Sequence, residues 1–241
     1  MSDLVQIGSG GSSRRDFLQT TLLGLSAFVT IGFSRAGDKY EFFTEAEVEF
    51  LNPAVDRLIP ADEKCPGASD LGVVNYIDRQ MAGPWGRAEQ IYFHGPFIPG
   101  PPELGYQLGF TPADLFRRAI GAINDRLRKQ GKAFRELSHP QQDEFLHALE
   151  SGKLNLNGVP SDTFFGFLWQ HTLEGFFGDP VYGGNRNKDS WRMIGFPGAY
   201  TDFYEHVGQH NVPFVREPMS IADAKADPMS MPGMDHKQGG K

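Results

Sequence analysis

Ser161-Asp162-Thr163-Phe164-Phe165-Gly166-Phe167-Leu168-Trp169-Gln170-His171-Thr172-Leu173-Glu174-Gly175-Phe176-Phe177 decides the fold. From Phe164 to Phe177 the stretch is apolar on nearly every face, a pattern suited to a helix enclosed on all sides or laid against another subunit. Helix signals surround it. Thr44-Glu45-Ala46-Glu47 reads as a capping box, with the Thr44 hydroxyl expected to accept the Glu47 N–H. Val48, Leu51, Val55 and Leu58 follow at helical spacing; Pro53 should kink this helix and Pro60 end it. Thr111-Pro112-Ala113-Asp114 opens a helix with proline in its first position, and Leu115, Phe116, Ala119, Ile120, Ile123 and Leu127 give one apolar stripe before Gly131. Ser138-His139-Pro140-Gln141 opens another, with Phe145, Leu146 and Leu149 inward and Gly152 at its end. Two short helices are expected besides. One is capped by Asp70, with Val73, Val74 and Ile77 apolar and Asp78 and Arg79 exposed; the other runs from Ala199 to Val207. No period-two alternation persists and no internal repeat stands out. The reading is an all-α, loop-rich helical single domain with long ordered Gly/Pro/aromatic loops.

Composition agrees with that reading. In 241 residues there are 29 Gly and 17 Pro, well above the usual share, so much of the chain must be ordered loop. The densest such region is 81–112, where six Gly and six Pro alternate with Trp85, Tyr92, Phe93, Phe97 and Tyr106. The prolines exclude a helix or a central strand, and the aromatics argue for a loop packed on the helices or on a partner. The net charge of −7 with no basic cluster excludes a nucleic-acid-binding face.

The first 36 residues form a separate segment. Ser13-Arg14-Arg15-Asp16-Phe17-Leu18 precedes a weakly hydrophobic run from Thr20 to Phe33, too short to span ~30 Å of hydrocarbon. Small residues at Ser34 and Ala36 suit signal-peptidase cleavage. Arg14, Arg15, Phe17 and Leu18 match the twin-arginine export consensus, so residues 1–36 are expected to be a leader read by the twin-arginine translocase. The folded body is expected at 37–217, followed by a disordered Met-rich tail at 218–241. Export places Cys65, the lone cysteine, in an oxidising compartment. It lies in the turn-rich stretch Ala61-Asp62-Glu63-Lys64-Cys65-Pro66-Gly67, read as exposed, where it would be a free thiol or bridge to a partner.

Cofactor and catalytic signatures are missing from the sequence. There is no dinucleotide or phosphate-binding glycine loop, no covalent-haem motif, and too few cysteines for a cluster held by four thiolates. Glu136-x-x-His139 and Glu144-x-x-His147 have di-iron spacing but lie only eight residues apart and straddle Pro140, so chance spacing is the better reading. His171 and Glu174 share a helix face and are expected to hydrogen-bond each other. Met229, Met231, Met234 and His236 in the tail offer soft ligands for copper, which leaves a self-contained periplasmic metal-binding protein or enzyme as the alternative reading.

Thr172-Leu173-Glu174-Gly175-Phe176-Phe177-Gly178-Asp179-Pro180-Val181-Tyr182-Gly183-Gly184-Asn185-Arg186, followed by Trp191 and Ile194-Gly195-Phe196-Pro197-Gly198-Ala199, resembles subunit 3, the small or gamma subunit, of gluconate 2-dehydrogenase-type complexes. Asp56-Arg57-Leu58-Ile59-Pro60-Ala61-Asp62-Glu63, Pro66-Gly67-Ala68, Gly72-Val73-Val74, Tyr76-Ile77-Asp78 and Gly105-Tyr106-Gln107 fit the same family, as does the leader. The resemblance implies a non-catalytic chain, with no cofactor of its own, that accompanies a large FAD-containing dehydrogenase and a multihaem cytochrome c subunit carrying haem c. It also implies that this chain's leader carries the flavoprotein across, and that the complex sits on the periplasmic face of the inner membrane. Gluconate is the first substrate it suggests; glucose, fructose and sorbitol enzymes use the same kind of subunit. Large aromatics held by Gly and Pro suit a protein–protein surface, which we place on Trp169, Phe176, Phe177, Tyr182, Trp191 and Phe196, with Asn185 and Arg186 as polar anchors. The competing reading is that these aromatics fill the chain's own core.

Overall fold

The computed structural model describes residues 40–98, 100–200 and 203–226. The chain divides at Asp38 into two units. The first unit, with Arg14, Arg15, Phe17 and Leu18 that the sequence suggests as an export signal, lies outside the described residues, as do the tail methionines and His236. Seven α-helices are present among the described residues: α1 (Glu45–Leu58), α2 (Val73–Ala82), α3 (Pro112–Arg128), α4 (His139–Glu150), α5 (Ser161–Phe177), α6 (Asp189–Ile194) and α7 (Ile221–Ala226). The only sheet among these residues is a two-stranded antiparallel ribbon, Asn155–Leu156 with Val159–Pro160, turning into α5. The fold is all-α, as the sequence implies.

α5 is the central element, packed most closely on α2 and α4 and touching α1 and α3. Phe164, Leu168, Phe176 and the side chains of His171 and Thr172 are buried, and Phe165 and Phe167 are half-buried. An aromatic spine joins the helices. Phe50 on α1 lies 5.0 Å from Phe134 and 6.3 Å from Phe164, while Phe116 on α3 lies 5.3 Å from Phe164. Such edge-on and tilted pairs are worth ~0.5–1.5 kcal/mol each beyond the area they bury.

Helix boundaries follow local chemistry, with several departures. At α1 the Thr44 N–H and hydroxyl both donate to the Glu47 carboxylate, at 2.8 and 2.9 Å, and the Glu47 N–H goes to the Thr44 carbonyl. The box thus closes through Glu47, because a carboxylate is the stronger acceptor. Thr111 accepts the Asp114 N–H at 3.1 Å to cap α3. α2 starts at Gly72, at φ +77°, rather than under an Asp70 cap. The Arg186 guanidinium lies where a Cβ on Gly72 would be, 2.7 Å from its Nε. Asp78, expected at the surface, is 2% exposed and accepts the N–H groups of Glu41, Phe42 and Phe43 at 2.7–3.0 Å. Where a helix was expected over Ala199–Val207, Ala199 and Tyr200 are not helical, and among the described residues of that stretch only a 3-10 turn at Tyr204–His206 forms.

Two further expectations are corrected. Cys65 is 5% exposed and belongs to the core cluster, because the Asp62 carboxylate accepts the Lys64 and Cys65 N–H groups and folds the thiol inward. Residues 218–226 are not a tail but part of the body. Met219 pairs with Pro197 and Ala199 backbone groups, Ser220 is buried, and the Ile221 N–H reaches the Asp179 carboxylate at 2.8 Å. The Lys188–Asp223 ion pair at 2.7 Å closes the same contact, and it helps hold the Asp223 carboxyl down at about 2.

Candidate functional site

The glycine–aromatic block after α5 folds into a rigid platform whose connections are internal. Gly184 meets the backbone of α5 so closely that a Cβ would lie 2.0 Å from the Gly175 carbonyl oxygen, and a Cβ on Gly175 would lie 3.0 Å from the Tyr76 side chain. Only glycine allows that approach. Asn185, fully buried, ties three strands of chain together. Its amide donates to the Gly178 carbonyl at 3.0 Å, and its carbonyl accepts the Ser190 N–H and hydroxyl at 3.2 and 2.7 Å. Asn185, Asn187 and Lys188 stand at φ +45°, +59° and +63°, left-handed backbone that costs of order 1–3 kcal/mol per residue and needs such support.

This geometry divides the eight residues assigned to a partner surface. Phe176 (1% exposed), Trp191 (4%) and Asn185 (0%) are interior to the chain itself, which corrects their assignment. The reason is helical register: Phe176 continues the buried face of Phe164, Leu168 and Thr172, and the next residue, ~100° round, faces outward. Phe177, Tyr182 and Phe196 remain exposed, as does Trp169. Arg186 is half-buried and held by its N–H to the Leu71 carbonyl at 3.0 Å. Trp169 lies apart, in a groove of about 530 Å³ between α1, α4 and α5, where Arg57 makes a paired contact with Asp143 at 2.8 and 2.9 Å. None of the other seven lines that groove.

The histidine and carboxylate pairs are each engaged in separate contacts. His171 is buried and bonds the Phe167 carbonyl through Nδ1 at 2.8 Å, with Trp85, Phe116, Phe167 and Tyr76 rings around it. Desolvation lowers its pKa despite the bond to Phe167 and the nearby Glu174. Glu174 bonds Tyr76 and Gln170 instead of His171, at 2.9 and 2.8 Å, and burial beside it pushes the Tyr76 hydroxyl up. His147 pairs with Glu150 on the surface of α4. Among the described residues no group of three or more His, Cys, Asp or Glu side chains converges on a metal-sized site.

One exposed set lies outside the eight residues assigned to a partner surface. Tyr92, Ile98 and Leu104 are 86%, 66% and 71% exposed in the proline-rich loop, with Phe97 beside them at 44%. Their signal was the aromatic interleaving within 81–112, which could not separate Trp85, packed on His171 and Phe167, from the rings left outside.

Large apolar side chains stand exposed in the platform and in the proline-rich loop. The family model for gluconate 2-dehydrogenase subunit 3 matches residues 45–198, which takes in α1 through α6 and the platform. The chain belongs to the gluconate 2-dehydrogenase subunit 3 family. No curated protein and no solved structure matches it. A subunit 3 chain is a component of a dehydrogenase complex, so partner surfaces are expected on it, and the exposed rings of this family member are the candidates.

Proposed function

We propose that this chain is the non-catalytic small subunit of a periplasmic FAD-dependent gluconate 2-dehydrogenase-type complex. Its twin-arginine leader carries the large flavoprotein subunit across the membrane, and its helical body stabilises that subunit beside a multihaem cytochrome c. The observation that carries this reading is the pairing, in one chain, of Ser13-Arg14-Arg15-Asp16-Phe17-Leu18 with a body that matches a dehydrogenase subunit over residues 45–198. A folded, exposed apolar surface supports it, because a subunit must leave such surface for its partners.

Co-production of both chains, with Arg14 and Arg15 replaced by Lys, tests the carrier role. Both proteins should then stay in the cytoplasm, and arrival of the large subunit in the periplasm would refute it. Gluconate is the proposed substrate of the complex. Dye-linked oxidation by the purified complex of gluconate, glucose, fructose and sorbitol in parallel decides among the four.

A further inference from the structure

We infer that the proline-rich loop, through its residues 91–98 and 100–107, is the surface that receives the large dehydrogenase subunit, which inserts an uncharged, protruding side chain among Tyr92, Phe97, Ile98 and Leu104. The inference rests on the reading of this chain as a subunit of such a complex.

Shape is the first argument. The loop encloses a cavity of about 380 Å³ lined by Ile91, Tyr92, Phe97, Ile98, Leu104 and Tyr106, among others. Concave apolar sites suit a knob from a rigid partner, and a monomer has no reason to keep four large apolar side chains on one loop in water. Preorganisation is the second. The Tyr106 hydroxyl donates to the Phe110 carbonyl at 2.5 Å, and the Gln107 amide donates to the Pro101 and Gly105 carbonyls at 3.0 and 3.2 Å. The Tyr106 ring rests 5.3 Å from Phe167 of α5, so the loop is fastened to the central helix before anything docks. A surface held in shape beforehand loses less entropy on association.

Charge then selects the occupant. Between Glu89 and Asp114 there is no Lys or Arg, and Glu103 is the one carboxylate. An anionic lipid surface is drawn by clustered cations, which this loop lacks. The uncharged core of a protein–protein interface is what it resembles. Finally, the loop lies inside the matched residues 45–198, as do the less exposed platform side chains Tyr182, Ile194 and Phe196, whereas Tyr204, Val207, Val212 and Val215 lie beyond residue 198.

The test compares Ile98→Asp, Leu104→Asp and the control Val215→Asp in the full chain, by binding to the purified large subunit and by Tm of the chain alone. The loop variants should lose affinity by about 100-fold or more, as truncated hot spots do, while Val215→Asp binds as wild type and every Tm is unchanged. Should a loop variant lower the Tm, Leu104→Ser repeats the comparison with a gentler change. Wild-type binding by the loop variants overturns the assignment while leaving the subunit reading intact. Absence of binding by the wild-type chain overturns both. Loop-dependent flotation with phosphatidylglycerol vesicles, or loop-dependent dimerisation of the isolated chain, assigns the surface to a lipid or a second copy and overturns the inference as well.

Discussion

The indole N–H of Trp191 donates to the backbone carbonyl of Phe177 at 2.6 Å, so a buried ring on α6 fixes the point where α5 ends and an exposed ring begins. Trp191→Phe keeps the ring but leaves that carbonyl unpaired. It should cost ~1–3 kcal/mol of stability in denaturant titration. Phe196→Ala, at a ring that packs on Trp191 from outside, should cost less than the same change at buried Phe176, where ~3–5 kcal/mol is expected.

Asn185 gathers three hydrogen bonds in a fully buried site and stands at positive φ. Asn185→Ala should lower stability by roughly 2–4 kcal/mol, since it strands Ser190 and the Gly178 carbonyl and places alanine in left-handed backbone. Amide exchange at Ser190 should accelerate more than exchange in α3.

Asp78 accepts three successive backbone N–H groups from residues 41–43, next to the first described residue, Tyr40. Arg117 adds a cation over the Phe42 ring at 4.1 Å and a bond to the Phe42 carbonyl at 2.9 Å. Asp78→Ala should release this segment, costing about 3 kcal/mol because charge-assisted bonds are lost from a buried place. Limited proteolysis should then cut near residues 40–43 well before it cuts the helices.

His171 sets a pH dependence. Burial lowers its folded pKa below the unfolded value of 6.5, so above that pH both states are neutral and its stabilising effect is complete. Below 6.5 the unfolded chain takes up the proton first, and stability falls as pH drops towards the folded value. Denaturant midpoints measured between pH 8 and pH 5 should decline, and His171→Gln should flatten that decline. The paired carboxylates Asp143 and Asp223, whose folded pKa values are lowered, add their own losses only at more acidic pH.

Cys65 should be unreactive in the native chain. Burial, with Asp189 and Asp62 behind it, pushes the thiol pKa up, so little thiolate forms and little of it meets reagent. Ellman's reagent should label one thiol per chain in denaturant and almost none without it. Non-reducing gels of the native protein should show no cysteine-linked adduct.

The five longer helices, α1 to α5, were legible in the sequence, whereas α6, α7 and much of the candidate surface were not. Thr44-Glu45-Ala46-Glu47, Thr111-Pro112 and Ser138-His139-Pro140 mark helix starts by chemistry acting within three or four residues, and α1, α3 and α4 begin where those signals stand. The glycine–aromatic block identified the family for the same local reason. But Phe176 and Phe177, adjacent and identical in kind, differ from 1% to 38% exposure, and only the register of α5 against its packed face separates them. Asp78 looked like a solvated helix residue until the chain at 41–43 came to lie over it.

What the sequence by itself determined was the helical class, the capped ends and the membership in a family of complex subunits. All of these depend on contacts between near neighbours in the chain. Only the tertiary structure decided which aromatics close the core and which stay outside. That choice turns on residues far apart in sequence, such as Trp85 reaching His171 and Tyr106 reaching Phe167, and a side chain is buried only when some distant segment arrives to cover it.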